Sequence, residues 1–291
     1  MQILIQPDAA AATELVARII QREVLNNPCP VLGLATGRTM EPVYAHLVRM
    51  HLNDSLDFSA CQTFNLDEYV GLPDRDRNSY RHYMNDHLFS HVNIDPRNTH
   101  LLHGMAADLN AECESFEHLI SQAGGIDLQL LGIGLSGHIG FNEPLSAFKS
   151  RTRVVPLAPM TLQQNAPVFG KTERVPRLAL TMGLATILDC RRCVLLATGE
   201  EKAEIIAKAV EGPLTAMVPA SALQTHPNCL IVTDDSAAAR LTKQDYYLWT
   251  YEHEPKWDWL RKISAVSLGE DCAPATTLMS GHLETAPQPL P

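Results

Sequence analysis

The stretch DLQLLGIGLSGHIGFNE, Asp127 to Glu143, decides how this chain is read. Its first part, Asp127 to Gly132, is a short apolar run of the length and character of a strand buried on both faces. Its second part gives up that pattern for Gly132, Gly134, Gly137 and Gly140, interleaved with Ser136, His138, Asn142 and Glu143. In open α/β sheets ligands bind beyond the carboxyl ends of the strands, where the strand order reverses. A buried strand that opens into glycines, with an imidazole and a carboxylate five residues apart, has the form of such a ligand loop.

The same form recurs on either side. Val31 to Ala35 is followed by TGRT at Thr36 to Thr39, Gln62 to Asn65 by LDEY at Leu66 to Tyr69, and Val194 to Thr198 by GEEK at Gly199 to Lys202. Gln2 to Gln6, Leu178 to Met182 and Leu230 to Thr233 complete the expected strands. Segments of helical period lie between them, at Ala9 to Leu25, Glu41 to Leu52, Ser79 to His91, Asn110 to Gln122, Glu200 to Val210 and Ala220 to Gln224. The alternation predicts an α/β fold, a parallel sheet wrapped by helices.

Composition narrows the function. The chain has 291 residues, 45% of them hydrophobic, and a formal charge of −10. It has no Lys/Arg run, so nucleic acid is not expected as a partner; a small anion needs only one local pocket. Asp8, Glu14 and Arg18 interrupt the N-terminal segment, which does not read as a secretion signal. No window approaches the roughly 20 apolar residues of a membrane span. The expectation is a cytoplasmic protein. The seven cysteines read as reduced thiols. Cys190 and Cys193 form a CxxC, but no second CxxC or paired His accompanies it and Cys193 opens the apolar run CVLLAT, so neither metal nor redox function is expected. His87 and His91 lack a third ligand and are read the same way.

From about Lys243 the character changes. Tyr246, Tyr247, Trp249, Tyr251, Trp257 and Trp259 fall close together. Residues 1–242 are read as the main domain and 243–291 as an aromatic extension that packs on the domain or on a neighbouring subunit, with a disordered tail beyond Gly269.

Several residues carry chemistry. The GLATGRT turn leads from a strand into a helix, so its backbone N–H groups and the positive helix end suit a phosphate; a tight turn with no ligand is the alternative. Lys202 opens another helix, where a cation is unfavourable unless an anion lies nearby. Asp67 and Glu68 follow a strand and read either as solvated loop acids or, if one is desolvated, as a general base. His138 titrates near neutrality and can shuttle protons when a carboxylate such as Glu143 orients it.

Five segments together resemble the glucosamine-6-phosphate deaminase family, within the larger group that includes 6-phosphogluconolactonases: FNLDEYVGL (Phe64 to Leu72), GHIGFNEP (Gly137 to Pro144), SRTRVV (Ser150 to Val155), LALTMG (Leu178 to Gly183) and PASALQTHP (Pro219 to Pro227). The resemblance implies a modified Rossmann-like three-layer α/β/α domain with a mobile lid between Pro156 and Arg174. It also implies an enzyme needing no metal or other cofactor, which isomerises and deaminates glucosamine 6-phosphate or a close relative to a ketose phosphate and ammonia, as in amino-sugar catabolism. Carried over by position, Asp67 is the base that moves the C2 proton to C1, His138 the ring-opening acid/base, Glu143 the carboxylate that orients it, and Gly37, Thr39 and Lys202 hold the phosphate. A homo-oligomer is compatible with this reading.

The chain departs from the family pattern at Ser136, where many relatives carry an Asp beside the catalytic His, at Pro167, where a lid Arg binds phosphate, and at Arg38, where a small residue is usual. A proline cannot donate to a phosphate, so Arg38 is expected to take over part of that recognition. Of the cluster that binds an acetylated sugar phosphate in allosteric members, Ser146 and Arg153 match while Ala147, Val155 and Pro156 do not, and that regulation is not expected. A 6-phosphogluconolactonase-like hydrolase would carry an Arg after the DE pair, where this chain has Tyr69. A sugar-phosphate sensor without turnover is the remaining alternative, motivated by Ser136 and Pro167.

Overall fold

Apolar runs too short for helices become strands, and the amphipathic segments between them become helices that cover the faces of the sheet. The computed structural model describes residues 1–170 and 175–261. The tail expected beyond Gly269 and the last four residues of the expected lid segment lie outside them. In chain order the elements are β1 (Gln2–Gln6), α1 (Ala9–Asn26), β2 (Val31–Leu34), α2 (Glu41–Asp54), β3 (Gln62–Asn65), β4 (Asp67–Tyr69), α3 (Tyr80–His87), β5 (Thr99–His100), α4 (Leu109–Gln122), β6 (Leu128–Leu131), β7 (Arg153–Pro156), α5 (Pro159–Phe169), β8 (Leu178–Thr181), α6 (Leu184–Leu188), β9 (Arg192–Ala197), α7 (Ala203–Val210), β10 (Cys229–Asp234), α8 (Asp235–Ala238) and α9 (Gln244–His253).

Seven strands form one sheet in the order β1-β10-β9-β6-β2-β3-β5, and every pair in it is parallel. All four residues of β2 and of β6 are buried, which is why those strands read as largely apolar runs, with Gln129 the one polar side chain in them. From β2 the chain moves through β3 to β5 on one side; from β6 it moves through β9 to β10 on the other. The switch point therefore lies between the carboxyl ends of β2 and β6. α1 shows how the outer layers form: Asp8 caps it by accepting from Ala11 N at 2.8 Å, and Ala12, Leu15, Val16, Ile19 and Ile20 make its buried face.

A second sheet, β4-β8-β7, is antiparallel and corrects two expectations. Leu178 to Met182 is a strand but does not join the parallel sheet; it runs between β4 and β7. Asp67 and Glu68 are not loop acids: with Tyr69 they form β4. The chain leaves the main sheet at Leu66, whose N–H donates to Leu34 O (3.1 Å) and whose carbonyl accepts from Met182 N (2.7 Å). Tyr69 then anchors the second sheet in a cluster with Phe141, Val155, Leu157, Phe169 and Ala179. Among the helices, Ala220 to Gln224 belongs to a 3-10 segment (Pro219–Thr225), and Lys202 ends a 3-10 turn (Glu200–Lys202) that precedes α7.

Two compact units are distinguished, Met1–Glu252 and His253–Pro291. In the first, the Glu211 carboxylate accepts from Thr242 N, Lys243 N and the Tyr247 hydroxyl, fixing the start of α9. Tyr246 and Trp249 on that helix are exposed. In the described part of the second unit, Pro255–Trp257 form a 3-10 turn, and Arg261 donates to Glu254 O at 3.2 Å.

Candidate active site

A cavity of about 260 Å³ opens at the switch point. Its walls come from the loop after β2 (Thr36, Gly37, Thr39), from Asp67 on β4, from the glycine-rich loop after β6 (Gly134, His138, Gly140), from Thr161 and Asn165 on α5, and from Lys202. The topology thus brings together seven of the eight residues singled out in the sequence, counting Ser136 and Glu143 as the partners of His138 and leaving only Arg38 outside the lining. Gly37 and Arg38 are both exposed.

Asp67 is 6% exposed, and among the described residues its carboxyl oxygens take no hydrogen bond. Burial, with the neighbouring Glu68 carboxyl adding to it, pushes its pKa up to about 8. Gly140 makes room for it. A Cβ there would lie 2.9 Å from Thr181 Oγ1 and 3.5 Å from Asp67 Oδ2, and the backbone has φ +54.

Glu68, next in sequence, does different work. Its Oε1 accepts from Tyr69 N (2.8 Å) and Tyr80 N (3.0 Å), and its Oε2 accepts from Arg81 N (3.0 Å). It therefore satisfies the first amides of α3 beyond those that the Ser79 cap reaches. That helix in turn supports the loop after β2, because the Tyr83 hydroxyl donates to Gly37 O at 2.9 Å.

His138, which lines the same cavity, belongs to a three-residue network. Ser136 Oγ lies 2.8 Å from His138 Nδ1 and donates to Glu143 Oε2 at 3.1 Å, while His138 Nδ1 lies 3.3 Å from the same carboxylate oxygen. Thr161 Oγ1 donates to the other oxygen, Oε1. Burial raises the Glu143 pKa, but the hydrogen bond and charge of His138, with the Thr161 and Ser136 hydroxyls, outweigh it and hold the group below the usual value. Gly134 makes this packing possible, since a Cβ there would meet the imidazole at 2.0 Å. The ring is thereby held by its Nδ1 edge, with Glu143 as acceptor and the Ser136 hydroxyl beside it.

At the third side, Lys202 is largely buried, and burial, opposed by Glu201 and assisted by the Arg38 charge, lowers its pKa. A desolvated cation close to the amides of a strand-to-helix turn suits an anion. Pro167 is an exposed interior residue of α5. The sequence reading missed three polar wall residues. Thr161 and Asn165 stand four apart on one face of α5, a spacing readable as a polar stripe; Asn165 Nδ2 donates to the Tyr69 hydroxyl at 2.9 Å. Tyr80, whose hydroxyl lies 3.3 Å from that of Tyr69, gives no local sequence signal.

One cavity on an α/β scaffold is thus lined by a buried carboxyl of raised pKa, an imidazole held by a carboxylate and a hydroxyl, and a largely buried lysine. The chain belongs to the family of glucosamine-6-phosphate isomerases and 6-phosphogluconolactonases, which matches residues 7–232. It is 47% identical over 247 residues to the glucosamine-6-phosphate deaminase of Shewanella woodyi, covering 85% of this chain and 94% of that protein. It is 45% identical over 260 residues to that of an Arthrobacter species, covering 89% and 100%. A solved monomeric glucosamine-6-phosphate deaminase superposes with a TM-score of 0.81 at 44% identity, covering 82% of this chain and all of that one. The 6-phosphogluconolactonase of Thermotoga maritima shares the fold, with a TM-score of 0.63 at 18% identity over 80% of this chain and 99% of that one. Among the described residues no helix is long and apolar enough to cross a membrane.

Proposed function

We propose that the protein converts glucosamine 6-phosphate to fructose 6-phosphate and ammonia. The observation that carries the reading is the pairing, across one cavity, of the buried Asp67 carboxyl with the Ser136–His138–Glu143 network. The phosphate sits against the amides of Gly37 to Thr39 and the Lys202 ammonium, with the Arg38 charge at the rim. His138 moves the proton that opens the pyranose. The ionised Asp67 takes the C2 proton and returns it at C1 through an enol-type intermediate; the resulting C2 imine adds water, the C2–N bond breaks, ammonia leaves and the water oxygen becomes the C2 carbonyl of the ketose. Burial gives Asp67 the basicity that this proton transfer needs, since a carboxylate of ordinary pKa would be a weaker base by several powers of ten. Glu143 stabilises the charged imidazole, and Ser136 holds the two together without adding charge. α5 acts as the lid, with Thr161 on Glu143 and Asn165 on Tyr69 as its two attachments.

The test is ammonia release from glucosamine 6-phosphate, galactosamine 6-phosphate and N-acetylglucosamine 6-phosphate, with 6-phosphogluconolactone hydrolysis as the comparison. Turnover of glucosamine 6-phosphate supports the reading. Lactone hydrolysis alone, or tight binding with no turnover, refutes it.

A further inference from the structure

The cavity stands at the carboxyl ends of the strands. At their amino ends, where β9 begins at Arg192 and β10 at Cys229, three other reactive side chains meet. Cys190 Sγ is 3.2 Å from Cys193 Sγ and 3.7 Å from His226 Nε2. Cys190, Cys193 and His226 are 5%, 0% and 3% exposed. We propose that Cys190 and Cys193, assisted by His226, are a peroxide-reactive dithiol that closes reversibly to an intramolecular disulfide.

Hydrogen bonding fixes the role of each group. Asn228 N donates to His226 Nδ1 at 3.0 Å. A backbone amide can only donate, so Nδ1 is the bare nitrogen and the ring proton is on Nε2. That N–H points at Cys190 O (2.8 Å) and toward Cys190 Sγ. Cys193 Sγ, by contrast, has a carbonyl to donate to, Ile187 O at 3.8 Å. The arrangement places negative charge on Cys190 and leaves the proton on Cys193. Accordingly, the Cys193 contact, with help from His226 and the Gln129 amide, holds the Cys190 thiol below the ordinary range, while Cys193 is held above it. Burial pushes the isolated thiols of Cys61, Cys113 and Cys229 up, to about 12, 11 and 12. The thiolate is the reactive form, so Cys190 is singled out among the buried cysteines.

The same tautomer argues against a metal. Two sulfurs and a ring nitrogen within 4.8 Å of one another resemble a ligand set, but ligation through Nε2 needs the lone pair of a nitrogen that here carries the proton.

The chemistry balances with hydrogen peroxide as oxidant, a molecule small and uncharged enough for a buried site. The Cys190 thiolate attacks one peroxide oxygen, an S–O bond forms, the O–O bond breaks, and the departing hydroxide takes a proton to become water. Cys193 then loses its proton and its sulfur attacks the Cys190 sulfenic sulfur. The S–S bond forms, the S–O bond breaks, and a second water leaves. Two sulfurs have together given two electrons to one peroxide, and a dithiol reductant reverses the process.

The experiment treats the reduced full-length protein with graded hydrogen peroxide, blocks remaining thiols under denaturing conditions and maps the peptides. The expected result is a Cys190–Cys193 cross-link, lighter by two hydrogens, formed at least about tenfold faster than Cys61 or Cys113 is lost and reversed by dithiothreitol. Cys193→Ser should stop at a Cys190 sulfenic acid captured by dimedone, and His226→Gln should slow the reaction. The proposal is overturned if Cys190 and Cys193 remain fully alkylatable at peroxide levels that oxidise the exposed Cys29. It is also overturned if the purified wild-type protein carries one equivalent of zinc that Cys190→Ser loses.

Discussion

Asp67→Asn should cost the enzyme its turnover and make the protein more stable at neutral and alkaline pH. The carboxyl titrates near 3.9 in an unfolded chain and near 8 in the folded one, because burial and then Glu68 oppose its charge. A folded pKa above the unfolded value means that the folded state keeps a proton which the unfolded chain gives up between the two. The stability contributed by this group is therefore full below about pH 4 and is lost as pH rises toward 8. From about pH 5 to pH 8 the ceiling on that loss, at about 1.36 kcal/mol per unit, is roughly 4 kcal/mol. Asp67 lines a cavity, and access to water there brings the expected figure to about half of that. Asparagine has the same shape and no proton to lose. Urea unfolding of both proteins at the two pH values should thus show the variant gaining about 2 kcal/mol on the wild type across the window, while ammonia release falls by about 10² to 10⁴. Parallel pH dependences in the two proteins, within about 0.5 kcal/mol, would show that the resting carboxyl is already ionised and would refute the reasoning. Retention of more than about a tenth of the wild-type kcat would remove Asp67 from the role of base.

The wild-type kcat/KM should rise with pH along a limb whose midpoint lies near 8, the value for Asp67 in the free protein; a profile flat from about pH 6 to 9 contradicts the assignment. Lys202→Met should raise KM by about ten- to hundred-fold, the worth of a hydrogen bond to a charged group, and Arg38→Ala, from its exposed place at the rim, by only a few-fold and more at low salt; the reverse order in steady-state kinetics would return phosphate recognition to Arg38. Ser136→Ala should lower kcat by about tenfold with little change in KM, because the 3.3 Å approach of His138 to Glu143 survives without the hydroxyl; an unchanged kcat removes Ser136 from the network. Glu68→Gln, which leaves one acceptor oxygen for three backbone amides, should cost about 1 to 3 kcal/mol in denaturant unfolding, and a loss below about 0.5 kcal/mol would show that α3 does not depend on that cap.

The strands that could be read from the sequence were those whose own composition determines them. β2, β6, β9 and β10 are almost wholly buried and therefore mostly apolar, with Gln129, Thr233 and Asp234 as their buried polar exceptions, and such a run is visible without knowledge of its neighbours. β4 and β7 are set by their partner instead. Asp67, Glu68 and Arg153 lie in strand geometry because β8 offers both its edges, more than a hundred residues beyond β4, and no local pattern announces that pairing. The site divides in the same way. His138, Glu143 and Lys202 sit in loops that the switch-point rule nominates, so residue type and spacing were enough. The two acids of β4 were legible as a pair but not as two roles, because alternation along a strand turns them to opposite faces. One face meets the cavity, with nothing to neutralise the charge, and the other meets the bare amides of α3. Among the described residues Asp67 is left without partners while Glu68 has three, which suits the first to the proposed role of base and the second to that of a scaffold, and the difference is created by where Tyr80, Arg81 and Gly140 fall in space. Ser136 brings a hydroxyl and no charge between His138 and Glu143, so with Asp67 as the proposed base the pH at which that buried carboxyl ionises is the quantity expected to set the rising limb of turnover.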